Sequence, residues 1–298
     1  GASWTETYAW YAGATGGLID MGAAVVADYV YVGYVPGDAQ GEYRLRRCLA
    51  PGGTSDGAYG FHTVFASGAD TFEEVVVVSN SQGFDNRIYC FVIQSDDSLR
   101  YAWDVATDGT TFSEASIGLG SAESALDATW NQGYAERFLF VSYIGPDGYI
   151  HVAYSNGSVW DDVVIRSASG VIHRTGVSVS AYDDNVICAY EYMYPTGRGI
   201  AYNISYDAGN IWNSGYLAEP DGAPVSSYMC PDVDARDGNG TAIVYGAEQG
   251  EPDAAFYNLR AGYQPGAWLG ALQFNDNDLS TGSRMTLSPV PALAPSCL

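Results

Sequence analysis

Five segments dense in apolar and aromatic residues recur along the chain at near-even spacing, and this periodicity limits the fold more than any other feature. They are YVYVGYV (29–35), RIYCFVIQ (87–94), RFLFVSYI (137–144), VICAYEYM (186–193) and TAIVYGAE (241–248). In each, apolar residues fill both phases of a period-two alternation, as in a strand covered on both faces. A polar turn and a strand of cleaner alternation follow: EYRLRRCL, LRYAWDV, YIHVAYS, GIAYNIS and AAFYNLR. In LRYAWDV, Leu99, Tyr101, Trp103 and Val105 fall on one side, with Arg100 and Asp104 on the other. Strands such as EEVVVVS, ALDATW, GVSVSA and PDVDAR precede these pairs, and a more exposed strand (FSEASI, WDDVVI, WNSGYLA, WLGALQF) closes the unit. No segment keeps a sustained helical period.

Four strands per unit of about fifty residues is the arithmetic of an all-β propeller. The rival, a two-layer sandwich, requires one apolar face per strand and no fixed period. The expectation is about five four-stranded blades over residues 12–282, or six if the terminal strands build a composite blade.

The turns between third and fourth strands carry a recognisable pattern. Residues 205–212 read SYDAGNIW, with Ser205, Asp207, Gly209 and Trp212 at the marked places. Residues 106–112 (ATDGTTF) hold a version one residue shorter, with Asp108, Gly109 and Phe112; SNGSVW (155–160) ends on Trp160, and QPGAW (264–268) keeps Gly266 and Trp268. This resembles the Asp-box, S-x-D-x-G-x-T-W, of sialidase-like propellers. The resemblance implies the fold, with the aspartate bonding turn amides, the glycine making the bend and the tryptophan filling space between sheets. It implies little about activity, because in that family these boxes lie away from the active site. The family's arginine triad, early Arg-Ile-Pro segment, Tyr–Glu pair and aspartic acid have no match; the nearest early arginines, in YRLRRC (43–48), lie on a third strand.

Charge narrows the partners. All twelve basic residues are arginine, and with 35 acidic residues the net charge is -23. Such a field repels phosphate backbones and anionic lipid, which disfavours nucleic acid and acidic membrane. No stretch approaches the roughly 20 apolar residues of a membrane span. The acidic, lysine-free, turn-rich composition, the N-x-S/T patterns at Asn156, Asn203 and Asn239 and a start at Gly1 fit a secreted, processed chain. Cys48, Cys90, Cys188, Cys230 and Cys297 show no zinc or redox spacing; Cys90 and Cys188, in apolar runs, read as buried thiols or as a disulfide.

Two functional readings arise. Asp20, Glu73 or Glu74, Asp127 and Asp232 or Asp234 fall near the starts of successive inner strands, where a carboxylate pair would serve glycoside hydrolysis. His62, His151 and His173 are scattered, and DARDGNG (234–240) has the flavour of a calcium loop without EF-hand spacing, so no cofactor is expected and calcium is the one metal considered. The second reading rests on surplus strands. Residues 1–11, including Trp4, Thr5, Glu6, Thr7 and Tyr8, resemble an outermost strand with no unit before it. Residues 283–298, with Met285, Leu287, Val290 and Cys297, resemble an innermost strand with no unit after it. These ends could zip shut a ring, mark a trimmed chain, or add to a sheet edge on the next molecule. The leading expectation is a non-enzymatic extracellular subunit that polymerises with copies of itself through its terminal strands. The alternative is a secreted glycan-active propeller, hydrolase or binding module.

Overall fold

The computed structural model describes residues 18–26, 29–49, 54–55, 61–68, 70–80, 87–105, 109–131, 139–156, 159–166, 176–194, 197–216, 227–235, 241–248, 254–260 and 271–275. Trp4 to Tyr8, Met285, Leu287, Val290, Cys297 and Asp108 lie outside them, as do QPGAW, His173 and residues 236–240.

The described residues form five successive antiparallel sheets. The first holds β1 (Leu18–Val26), β2 (Tyr29–Pro36), β3 (Glu42–Leu49), β4 (Thr54–Ser55) and β5 (Phe61–Ala66), with β4 and β5 both pairing with β3. The second runs β6 (Phe72–Ser79), β7 (Ile88–Gln94), β8 (Ser98–Asp104) and β9 (Phe112–Ser121); the third runs β10 (Ser124–Trp130), β11 (Leu139–Ile144), β12 (Ile150–Ser155) and β13 (Trp160–Arg166). The fourth has β14 (Val177–Tyr182), β15 (Asn185–Tyr194), β16 (Gly197–Ser205) and β17 (Asn213–Tyr216). The fifth has β18 (Ser227–Ala235), β19 (Thr241–Glu248), β20 (Ala254–Arg260) and β21 (Ala271–Asn275). Spatial order follows chain order, as expected for a meander joined by short turns. No helix among the described residues is long and apolar enough to cross a membrane.

Burial follows the two alternation patterns. Every residue of β7 and of β11 is buried, which explains why their apolar residues occupy both phases. β1 behaves differently: Ile19, Met21, Ala23 and Val25 are exposed, while the residues between them turn inward to varying degrees. In the first two sheets Tyr31, Val35, Tyr43, Leu45, Phe65 and Phe72 share one core with Val75, Val77, Ile88 and Val92. Three free thiols, Cys48, Cys90 and Cys188, are buried in the first, second and fourth sheets. Burial pushes the Cys90 thiol up to about 12.

Two compact units divide the chain, residues 1–130 and 131–298. Within each, side chains tie the first strand of one sheet to the first strand of the next. In the earlier unit the Val75 amide donates to Asp20 Oδ2 (2.8 Å) and the Ser79 hydroxyl to the Val25 carbonyl (2.7 Å). Both oxygens of Glu74 accept amides of β10, from Ala125 (2.9 Å) and Leu126 (2.7 Å). Serine does this work in the later unit. Ser178 Oγ donates to Asp232 Oδ1 (2.9 Å) and accepts the Val233 amide (3.3 Å), and Ser180 Oγ accepts the Ala235 amide (2.9 Å). Such bonds satisfy amides that burial would otherwise leave costly.

Candidate functional site

The turn from second to third strand is built alike in the second and third sheets. Asp96 Oδ1 accepts the Ser98 amide (3.0 Å), and Asp147 Oδ1 accepts the Tyr149 amide (2.9 Å). The residue between is left-handed in both, Asp97 at φ 63° and Gly148 at φ 72°. Aspartate tolerates this region better than most side chains and glycine better still. Four residues after each aspartate comes a cation, Arg100 or His151. Four further on, the third strand ends in a buried polar anchor, Asp104 or Ser155.

Each cation meets a carboxylate from the fourth strand at the same diagonal. Glu114 stands opposite Ala102 and Asp162 opposite Ala153, two residues along from Arg100 and His151. Arg100 Nη2 donates to Glu114 Oε2 (2.6 Å), and its guanidinium lies 5.5 Å from the centre of the Phe65 ring. His151 Nδ1 is 2.7 Å from Asp162 Oδ2, its Nε2 is 3.3 Å from Asp147 Oδ1, and its ring stacks on Tyr143 at 5.0 Å. The first sheet has a related set: Arg44 Nε donates to Glu42 Oε2 (2.8 Å) while the guanidinium lies 4.7 Å over the Phe61 ring. In the fourth sheet buried Ala201 stands four residues before Ser205, so the cation is lost there.

Exposure makes these sets available to a ligand. Arg100 and Glu114 keep 28% and 39% of their side chains in solvent, and Phe61 beside Arg44 is 53% exposed, whereas Phe65 beneath Arg100 is fully buried. A guanidinium held by one carboxylate beside an aromatic ring offers donors, acceptors and an apolar face within a few ångströms. That is the equipment for gripping a polyhydroxylated ring: hydroxyls on the charged pair, C–H face on the aromatic.

Ionisation follows the same geometry. Burial works against a charged His151, but hydrogen bonds and charge from Asp162 and then Asp147 outweigh it and raise its pKa. Burial also opposes ionisation of Asp147, and the Tyr149 amide and His151 overcome it, holding the carboxyl below its usual range. Burial, followed by the Asp162 charge, raises the pKa of Tyr143.

The residues singled out in the sequence fall in other places. In the 205–212 turn the Ser205 hydroxyl donates to Asp207 Oδ1 (2.7 Å) and accepts the Gly209 amide (2.8 Å). Asp207 Oδ1 takes the Asn210 and Ile211 amides (3.0 and 2.8 Å), and Trp212 Nε1 donates to the Gly209 carbonyl (3.0 Å). Gly209 has φ 88°, and an added Cβ would lie 3.2 Å from Phe140. In the second sheet the Gly109 amide donates to Asp104 Oδ2 (2.6 Å), as the Gly209 amide donates to Ser205 Oγ. Asp104, expected on the side of β8 that carries Arg100, is fully buried. Phe112 packs on the core of the first two sheets, and Trp160 is half-buried at the head of β13. Among the carboxylates, Asp20 and Asp232 take part in the contacts between first strands, Glu73 is exposed and Asp127 half-buried. No group of three metal-ligating side chains gathers among the described residues. Arg44, Arg100 and His151 went unnoticed as a set, although D-D-S-L-R (96–100) and D-G-Y-I-H (147–151) carry the signal.

Repeated four-stranded antiparallel sheets in chain order define a β-propeller, the fold this chain shares with solved structures. They include a variant of AofleA from Arthrobotrys oligospora with three arginines replaced by alanine (13% identity, TM-score 0.57, covering 90% of this chain and 73% of that one). A mutant of the NanB sialidase from Streptococcus pneumoniae matches at 9% identity and TM-score 0.56, over 83% of this chain and 60% of the sialidase. The fucose-specific lectin from Aleuria aurantia matches at 16% identity and TM-score 0.54, over 86% of this chain and 78% of the lectin. No protein-family model matches the sequence, and no curated protein does.

Proposed function

We propose that this protein is an extracellular saccharide-binding propeller that recognises neutral glycans. Arg44 with Glu42 and Phe61, and Arg100 with Glu114, are the contact sets. The observation that carries this reading is the recurrence of a partly exposed arginine–carboxylate pair near the start of the third strand in successive sheets, in the first of them beside the exposed Phe61 ring. A fucose-specific lectin among the structural neighbours supports it. Neutral rather than acidic sugars are favoured because a net charge of -23 repels an anionic ligand. Binding is favoured over hydrolysis because Asp20 and Asp232, candidates for the chemistry, are engaged by groups of neighbouring strands. Polymerisation through terminal strands rests on residues outside those described, and the saccharide reading is preferred because its contacts are in view.

A glycan array followed by calorimetry with methyl α-L-fucoside tests it. Binding to neutral glycans, weakened at least tenfold by Arg100→Ala, is the expected result. An array empty of neutral glycans, or binding untouched by both Arg100→Ala and Arg44→Ala, overturns it.

A further inference from the structure

The third sheet repeats the arginine set with a side chain that titrates. His151 takes the place of Arg100, Asp162 that of Glu114 and Asp147 that of Asp96, while Tyr143 lies under the imidazole as Phe65 lies near the guanidinium. We propose that this copy is a further saccharide site, competent only while His151 is protonated, so that the protein gains binding sites as the medium acidifies. The inference rests on the saccharide reading and deepens it.

The geometry itself calls for an imidazolium. A neutral ring has one N–H and one acceptor nitrogen, yet both ring nitrogens here face carboxylate oxygens, at 2.7 and 3.3 Å. Loss of the proton leaves a lone pair aimed at a carboxylate, and one contact must open. Asp162 comes from β13 and is mostly buried, whereas Asp147 sits on the turn, is 44% exposed and makes the longer contact. The turn is therefore the part that lets go. It closes tightly over the pair when the contact is made: a Cβ on Gly145 would lie 2.8 Å from both Asp147 Oδ1 and His151 Nε2. It also carries Tyr149, an exposed ring suited to a sugar face, whose amide is bonded to the same Asp147 oxygen. The groups facing His151 are thus Tyr143 from β11, Asp147 from the turn and Asp162 from β13. The raised pKa of His151 places the change above the usual imidazole range.

Calorimetry with methyl α-L-fucoside at pH 5.5 and 8.5 tests this, alongside NMR of the His151 ring. The wild type is expected to show an additional class of sites at pH 5.5 whose affinity falls at least tenfold by pH 8.5. His151→Gln should lose that class at both pH values and keep the Arg100 class. His151→Arg should retain it at pH 8.5. Asp147→Asn, on the exposed turn, gives a second reading should either substitution at 151 impair folding, and it should lower the His151 pKa and weaken the acid class. An acid class that survives His151→Gln, or binding with one pH-independent stoichiometry abolished by Arg100→Ala, overturns the proposal and leaves the saccharide reading standing. Absence of fucoside binding at either pH sinks both.

Discussion

The second and third sheets present different cations at one point of a shared frame. Both have the aspartate-bonded turn, the left-handed residue after it, the diagonal carboxylate and the buried anchor eight residues on from the aspartate. What differs is the permanence of the charge: Arg100 is cationic at any pH the protein meets, and His151 is not. The frame therefore fixes where the cation stands, and one residue decides whether its charge depends on pH.

The largest effect should come from breaking the frame itself. Asp104→Ala leaves the buried Gly109 amide without its acceptor and should cost about 3 kcal/mol. Ser155→Ala, whose hydroxyl donates to the Val159 carbonyl, should cost about 1 kcal/mol. Urea denaturation of the two variants measures the difference, and equal losses would mean that the anchors are not comparable. Removing a cation acts on binding more than on folding. Arg100→Ala should reduce fucoside affinity at least tenfold, while the melting temperature changes little, because a half-exposed ion pair contributes roughly 0–1 kcal/mol.

A smaller effect separates the two cations by pH. The folded-state pKa of His151 lies above its unfolded value, so its contribution to stability is fully present below the unfolded pKa, near 6.5, and is lost as pH rises through the folded one. Melting temperatures of wild type and His151→Gln should therefore differ at pH 5.5 and converge in alkali; a constant gap would show that the imidazole merely packs. Asp147→Asn should give the smallest change, narrowing the window by moving the His151 transition to lower pH, read from the ring's NMR titration.

Most strands were legible because burial on two faces or one writes itself into alternation. The segments expected at 87–94 and 137–144 contain strands 88–94 and 139–144, buried throughout, whereas in β8 only Leu99 of the expected apolar side is buried, with Tyr101 and Trp103 half-buried and Ala102 and Asp104 turned inward. In the first sheet β5 leaves no signal in the sequence, because FHTVFA follows a glycine-rich stretch and lacks a tryptophan at its head. Asp104 shares the side of Arg100 in the alternation yet is buried, because at a strand end a turn amide can claim the side chain. Asp20 and Glu74 illustrate a second blind spot. Their partners lie 51 to 55 residues away on the next sheet, so a carboxylate that closes a contact between strands looks, in sequence, like one waiting for a substrate. The cation set was visible as two similar pentapeptides, but only the register to the fourth strand shows that each cation has a carboxylate waiting.

Among the described residues, the three buried thiols supply a readout already built into the fold. Cys48, Cys90 and Cys188 are shut away from reagents in separate sheets, and the Cys90 sulfur holds its proton to about pH 12 while the protein is folded. A maleimide pulse during denaturation would therefore stamp each sheet at the moment it opens. The order of stamping between Cys90 and Cys188 tells whether the two halves of the chain come apart together or in turn.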